Sequence, residues 1–317
     1  MSIKMKNLLT HLQHPNSTKD YQAEDEADAI KISEYWGRRI DQNQKPKISF
    51  ELFPPKSDSA NKLLKKTHQK LSEINPDYFS VTFGALGSSQ NDTFDTVADL
   101  SEDTKIPIIP HLTCVGIDKK QVTDLLDEYI AQGVNQIMVL KGDYPKTIIK
   151  KGDFNYANEM VEFIKENYFD INILVAAYPE KHPHSNCIST DIDFFVNKVN
   201  AGADKAVTQY FYNIDAYLHF IEEVQKRNID IPITPGIMPI TNYDQLIYFS
   251  KTCGAEIPAW ILNKLKLYKN DLNSLKEFGE DVVSEMCLKL KDNGVSSFHF
   301  YCLNKAEPTL SIVKKIT

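Results

Sequence analysis

No run of 18 or more apolar residues occurs in the 317-residue chain, so no membrane-spanning helix is expected. The opening stretch MSIKMKNLLTHLQHPNSTKD has neither a long apolar core nor a small-residue cleavage site, and it does not read as a secretory signal. Positive charge is scarce. Lys and Arg number 36 against 43 Asp and Glu, a net charge of -7, which argues against a general nucleic-acid binder. A small anionic ligand needs only a local basic patch and stays admissible. The five cysteines (Cys114, Cys187, Cys253, Cys287, Cys302) are odd in number, widely scattered and never at C-x-x-C spacing. Four of them sit among apolar or helix-patterned neighbours, which reads as buried free thiols in a reducing cytoplasm, without a structural zinc site. The HPH run, His182 to His184, has no partnering cysteine or carboxylate at ligand spacing, so no metal is expected. G-x-G-x-x-G, the Walker A motif and H-E-x-x-H are all missing. A nicotinamide or flavin would therefore not be held on a Rossmann turn.

What is present is regular. Residues 1–45 are polar and charged, with one helix candidate, DAIKISEYWGRRI, and a linker-like NQKPK. They read as an N-terminal helical arm that packs on the domain or on a neighbouring subunit. From Pro46 onward, short β-branched and aromatic runs alternate with helix-periodic segments. Eight strands are expected: KISFELF, YFSVTFG, PIIPHLTC, QIMVLKGD, NILVAAYP, KAVTQYFY, IPITPGIMP and SFHFYCLN. QVTDLLDEYIAQG puts Val122, Leu125, Leu126, Tyr129 and Ile130 on one helical face and stops at Gly133; DFFVNKVNAGADK stops in the same way at Gly202. Two extra helices, about 258–267 and 271–293, precede the last strand. Eight near-continuous apolar strands separated by helices predict a parallel sheet closed into a (β/α)₈ TIM barrel over residues 46–317, a size near the roughly 250 residues of such barrels. An open doubly wound sheet fits less well, because Pro54-Pro55 after the first strand cannot form a phosphate-binding turn.

A barrel places its active site at the strand C-terminal ends. Those ends are rich in polar residues: Glu51; Thr82; His111 and Thr113; Lys141 and Asp143; Tyr178, Glu180 and His182; Gln209; Asn304 and Lys305. Glu51 alternates with Phe50 and Leu52, so it faces away from them. A desolvated carboxyl there has a raised pKa and can act as a general acid near neutral pH; a salt-bridged core glutamate is the plainer reading. Asp143 follows Gly142 and suits either an amidine-like ring edge or a turn cap. Gln209 lies in an apolar strand and needs partners for its amide, from a polar heterocycle or from backbone.

The fragments SFELFPPK, SVTFGA, PHLTC, LKGD, AAYPEKHP, AGADKAVTQYFY, TPGIMPI, IPAW and FHFYCLNKAE occur in this order. Together they closely resemble the 5,10-methylenetetrahydrofolate reductase family, short bacterial type, from about Ile48 to the C-terminus. The resemblance implies a flavin enzyme that binds FAD noncovalently over the strand ends. NADH or NADPH reduces the flavin, and the folate is then reduced in its place, by a ping-pong mechanism that feeds methionine synthesis. It further implies a cytoplasmic homo-oligomer with no C-terminal regulatory domain. By motif, Glu51 matches the general acid and Asp143 the acid beside flavin and pterin. Thr82, Phe83, Ala85, His111, Lys141, Gly142, Asp143, Tyr156, Ala157, Tyr178, His182, Asp191 and Lys198 match flavin-contacting positions. Glu51, Thr82, Asp143, Gln209, Gln245, Phe249 and Lys305 match substrate positions.

The sequence departs from the family pattern in places. Lys141 and Lys305 stand where arginine is usual, Asn197 replaces a basic residue, and LGSSQNDTFDT replaces a Gly/Arg-rich run. A lysine keeps the charge and loses the two-point fork. Other readings are a different one-carbon folate enzyme such as a folate methyltransferase, a flavin-independent folate reductase, and a noncatalytic folate- or flavin-binding subunit.

Overall fold

Strands covered on both faces become apolar throughout, and successive side chains still point to opposite sides. The computed structural model describes residues 45–83, 90–142 and 152–317. In it the eight expected runs are strands: β1 (Lys47–Leu52), β2 (Tyr78–Val81), β3 (Ile108–Thr113), β4 (Gln136–Leu140), β5 (Asn172–Ala177), β6 (Lys205–Tyr210), β7 (Ile233–Ile237) and β8 (Ser297–Tyr301). They pair in chain order and in parallel, and β1 pairs with β8 to close the barrel. The fold is the (β/α)₈ TIM barrel that the alternation predicts.

The helices are α1 (Asp58–Ser72), α2 (Gln90–Asp103), α3 (Lys119–Ala131), α4 (Ala157–Asn167), α5 (Ile188–Asn200), α6 (Ile214–Lys226), α7 (Tyr243–Cys253), α8 (Ala259–Leu267), α9 (Leu272–Asp292) and α10 (Thr309–Ile316). The two extra helices expected before the last strand are α8 and α9. Residues 1–44 of the predicted arm, together with Ala85 and Asp143, lie outside the described residues.

Local chemistry explains the helix ends. Asp118 caps α3 in a reciprocal box with Gln121. Gly133 and Gly202 follow α3 and α5 with φ of 84° and 113°, a region that L side chains avoid. On α3, Val122, Leu126 and Tyr129 are buried, whereas Ile130 is 42% exposed. Ile130 lies a further 100° or so around the helix from Tyr129, at the edge of the buried stripe.

Two cores result. Phe50, Leu52, Phe79 and Val81 face outward from the barrel and pack beneath the helices in one large cluster. Tyr78, Ile109, Met138, Leu174 and Val207 fill the interior in a small separate one. Three cysteines are buried as expected (Cys114, Cys287, Cys302), but Cys253 is half-buried and Cys187 is exposed at the N-cap of α5. A cap residue sits where the chain enters the helix from the surface, and Ser185, Asn186 and Ser189 beside Cys187 are polar accordingly.

Closure leaves little room at β7. A Cβ on Gly236 would stand 2.1 Å from the Thr208 carbonyl oxygen and 2.6 Å from the Tyr301 ring. Gly236→Ala is expected to destabilise the protein by ~1–3 kcal/mol or more through overpacking against backbone. Urea unfolding measures this, and an unchanged midpoint counts against the packing described.

Candidate active site at the strand C-terminal ends

Glu51 is the fifth residue of β1, in register with Ser80 of β2 and Tyr301 of β8. Its side chain keeps 23% of its surface, and Oε2 lies 3.8 Å from His111 Nε2 on β3. That spacing is ion-pair-like, but burial drives the two groups in opposite directions. It pushes the Glu51 carboxyl up to about 8 and the His111 imidazole down to about 3. Both shifts favour the uncharged forms near neutral pH, against the plainer reading of Glu51 as a salt-bridged core residue. A carboxyl whose proton is held by burial at the mouth of a barrel has the chemistry of a general acid.

The backbone under Glu51 is held from the far end of the chain. Asn304, just after β8, accepts from Phe53 N at 3.0 Å and donates to Phe53 O at 2.8 Å. Cys302 Sγ donates to the Glu51 carbonyl at 3.2 Å, and Thr67 Oγ1 of α1 donates to Asn304 O at 3.1 Å. Asn304 adopts φ of 53°, a left-handed conformation that asparagine tolerates better than most residues.

One half of the rim, β2 to β5, carries the flavin candidates. Thr82 Oγ1 and His111 Nε2 are buried there without a hydrogen-bond partner, as is Ser80 Oγ. Past β4, Lys141 Nζ lies 5.1 Å from the centroid of the Tyr156 ring, and Ala157 opens α4. Gly142 has φ of 80°. Past β5, Tyr178 and His182 meet edge to face at 4.8 Å. Asp191, in the first turn of α5, accepts from His182 N at 2.9 Å and from Ser185 Oγ at 2.7 Å. Seven residues on, along the same helix face, Lys198 donates to the Ala176 carbonyl. Burial pulls the Lys198 ammonium down to about 8, with the Asp191 charge opposing. A partly buried ammonium of this kind gains from an anionic neighbour.

The other half, β6 through β8 to β1, carries the substrate candidates. The β6–β7 register shifts between Val207 and Tyr210, and Gln209 Oε1 accepts from Tyr210 N at 2.9 Å inside that irregularity. The backbone partner allowed for Gln209 is thus present. Bulges near active sites commonly re-aim side chains in this way. Gln245 is half-buried in the first turn of α7, and Phe249, one turn later, packs on the core. Tyr210 and Ser250 hydroxyls, 3.1 Å apart, fasten α7 to β6. Lys305 is exposed beyond β8. Glu180 joins the two halves. Its Oε2 accepts from Glu256 N at 2.8 Å, and burial pushes its carboxyl up to about 7.

The structure therefore brings Glu51, Thr82 and His111 together, and arrays Phe83, Lys141, Gly142, Tyr156, Ala157, Tyr178, His182, Asp191 and Lys198 along β2–β5. Gln209, Gln245, Phe249 and Lys305 stand across the mouth. Sequence reasoning passed over Ser49, Ser80, His299 and Tyr301, which line the interior beneath and beside Glu51. Ser49 Oγ lies 2.8 Å from His299 Nδ1, and the Tyr301 hydroxyl donates to the Thr208 carbonyl at 2.7 Å. Their signal was period two, since Ser49 precedes Glu51 by two and His299 precedes Tyr301 by two. Among the described residues no cluster of three or more His, Cys, Asp or Glu could hold a metal ion, and no helix is long and apolar enough to cross a membrane.

Comparison with known proteins adds to this geometry. The family model "Methylenetetrahydrofolate reductase" matches residues 37–317. The 5,10-methylenetetrahydrofolate reductase of Buchnera aphidicola subsp. Schizaphis graminum is 38% identical over 270 residues, covering 85% of this chain and 91% of the relative. The Escherichia coli protein of the same name is 33% identical over 265 residues, 84% of this chain and 88% of its own. Among solved structures, a Clostridium thermocellum protein described as binding two copies of 5-methyl-5,6,7,8-tetrahydrofolic acid superposes with a TM-score of 0.62. It is 16% identical and covers 90% of this chain and 98% of its own, a likeness of fold.

The raised Glu51 pKa has a cost in stability. Between about pH 4.5 and pH 8 the folded state keeps a proton that the unfolded chain releases, so stability falls as pH rises through this window. Glu51→Gln removes that dependence. Thermal unfolding is expected to show no difference from wild type near the bottom of the window and a higher Tm for the variant near its top. Equal Tm values at both ends contradict the burial described.

Proposed function

The chain belongs to the methylenetetrahydrofolate reductase family, and we propose that it reduces 5,10-methylenetetrahydrofolate to 5-methyltetrahydrofolate with NADH or NADPH through noncovalent FAD, in ping-pong fashion. The observation that carries this reading is the Glu51 carboxyl, which keeps its proton to about pH 8 at the open end of the barrel. Ring opening of the methylene bridge requires a proton on its amine nitrogen, and Glu51 is the acid to deliver it. Neutral His111 beside it neither draws the proton off as a carboxylate's ion-pair partner nor repels a cationic folate. A positioned acid of this kind contributes roughly 10²–10⁴ in rate. Asp143, assigned on the LKGD motif, would bind the pterin edge and favour the cationic iminium form electrostatically. Gln209, Gln245, Phe249 and Lys305 would orient the folate and, in its turn, the nicotinamide.

The residues present fit a flavin. Unpartnered Thr82 Oγ1 and His111 Nε2 offer hydrogen bonds to a heteroaromatic ring edge, and the half-buried Lys198 ammonium suits a diphosphate. Thr82, Phe83, Ala85, His111, Lys141, Gly142, Asp143, Tyr156, Ala157, Tyr178, His182, Asp191 and Lys198 would hold it. When bound, FAD supplies two-electron transfer between a reduced nicotinamide and the folate. Asp191 holds the turn at His182 and Ser185, so that Lys198 meets a fixed loop. The product would serve methionine synthesis, in a cytoplasmic homo-oligomer.

Visible absorption of the purified protein, and its anaerobic bleaching by NADH and by NADPH, tests the cofactor directly; an active but colourless protein refutes FAD. Glu51→Gln is expected to preserve bleaching by the nicotinamide and to slow folate reduction by ~10²–10⁴-fold. Equal loss of both half-reactions, or none in the second, removes Glu51 from its role. Lys198→Met is expected to lower bound flavin after gel filtration with little change in Tm, and full retention of flavin would refute the diphosphate assignment.

A further inference from the structure

Glu180 follows Tyr178 by two residues and precedes His182 by two, yet none of the roles above uses it. Its carboxyl reaches the turn that follows α7. Oε2 accepts from Glu256 N at 2.8 Å, and Oε1 is buried with no hydrogen-bond partner among the described residues. The hydrogen bonding of this half-buried side chain to protein is thus confined to one backbone N–H.

Packing presses the same turn onto the Glu180 loop. Gly254 ends α7 with φ of 80°, and its N–H donates to Ser250 O at 2.9 Å. A Cβ on Gly254 would stand 3.1 Å from Pro183 Cγ and 3.2 Å from the Lys181 carbonyl oxygen. On the barrel side, the Ser250 hydroxyl meets that of Tyr210 at 3.1 Å. Burial first, and the nearby Cys253 and Glu180 with it, push the Tyr210 hydroxyl above its ordinary range, so these groups share one neighbourhood. The C-terminal end of α7 is therefore held between the loop after β5 and strand β6. Its other end has a looser hold. There Lys269 pairs with Asp244 at 2.7 Å, but the two side chains are 44% and 72% exposed, and such pairs contribute little.

Gln245 and Phe249 lie four residues apart on α7, and Cys253 continues their row to the glycine. A shift of the last turn is carried along the helix to both side chains, and small misplacements of binding groups are costly.

We propose that Glu180 is a positioning residue for the substrate half of the mouth: through the Glu256 N–H it fixes the end of α7, and so sets where Gln245 and Phe249 meet the folate and the nicotinamide. This rests on the functional reading given above, in which those two side chains orient both ligands.

Glu180→Leu keeps bulk and removes the acceptor, whereas Glu180→Gln keeps an acceptor oxygen without the charge. Glu180→Leu is expected to raise KM for both methylenetetrahydrofolate and the nicotinamide by ~3–10-fold, about the net contribution of one hydrogen bond, with maximal rates and bound flavin unchanged. Glu180→Gln is expected to restore both KM values. Hydrogen exchange of residues 243–253, followed without substrates, is expected to be faster in Glu180→Leu and at the wild-type rate in Glu180→Gln. Unchanged KM values in Glu180→Leu overturn the proposal, as do equal defects in the two variants. Loss of flavin from Glu180→Leu also overturns it, because Glu180 would then support the Tyr178–His182 loop instead. A wild-type protein that turns over neither ligand removes the functional reading, and exchange of α7 in the two variants then decides the role of Glu180 by itself. Should Glu180→Leu fail to fold, the Glu256 amide of the wild-type chain decides. Exchange slower than in a free peptide supports the tie, and exchange at the free-peptide rate overturns it.

Discussion

The site depends on the desolvation of one carboxyl. Glu51 sits between strands on both sides because β1 pairs with β2 and with β8, so closure of the barrel is what removes water from it. At 4 Å, a charged pair with His111 would be worth about 4 kcal/mol at an effective dielectric constant of 20. The penalty of burying both charges exceeds this gain, and the pair is neutral instead. The consequence is chemical. A salt-bridged glutamate would be deprotonated at pH 7, whereas burial pushes this carboxyl up to about 8.

Much of the remaining structure keeps that strand end in place and divides the space above it. Asn304 and Cys302 bind the backbone around Glu51 from a turn some 250 residues away in sequence. The rim then splits into two arcs. Over β2–β5 stand unpartnered polar atoms and the half-buried Lys198. Over β6–β8 stand the Gln209 and Gln245 amides and the Phe249 ring. Glu180 ties these arcs together through Glu256 N, and the Tyr210–Ser250 contact fastens α7 to β6 within the second.

The likeness to known reductases shows the family of the chain, and burial explains why Glu51 and Lys198 are perturbed at the strand ends. The substitutions of lysine for the usual arginine at 141 and 305 preserve charge at both edges of the mouth. Lys141 also lies over the Tyr156 ring, a contact that an ammonium can make without a planar fork.

The strands, their order of appearance and the helix stops were legible in the sequence, because they follow from local rules: period-two alternation, the helical period, and glycines at φ that other residues avoid. The inward direction of Glu51 was legible for the same reason. Ser49, Ser80, His299 and Tyr301 followed the same alternation, but nothing local marked them as its neighbours. Cys187 is exposed at a helix N-cap, in keeping with its polar neighbours Ser185, Asn186 and Ser189. What only the tertiary structure decided was adjacency and charge state. Whether Glu51 faces a lysine or a histidine, and whether Gln209 bonds its own strand, depends on register across strands distant in sequence. The pKa values follow from those neighbours and from the water they exclude, and no property of an isolated segment contains either.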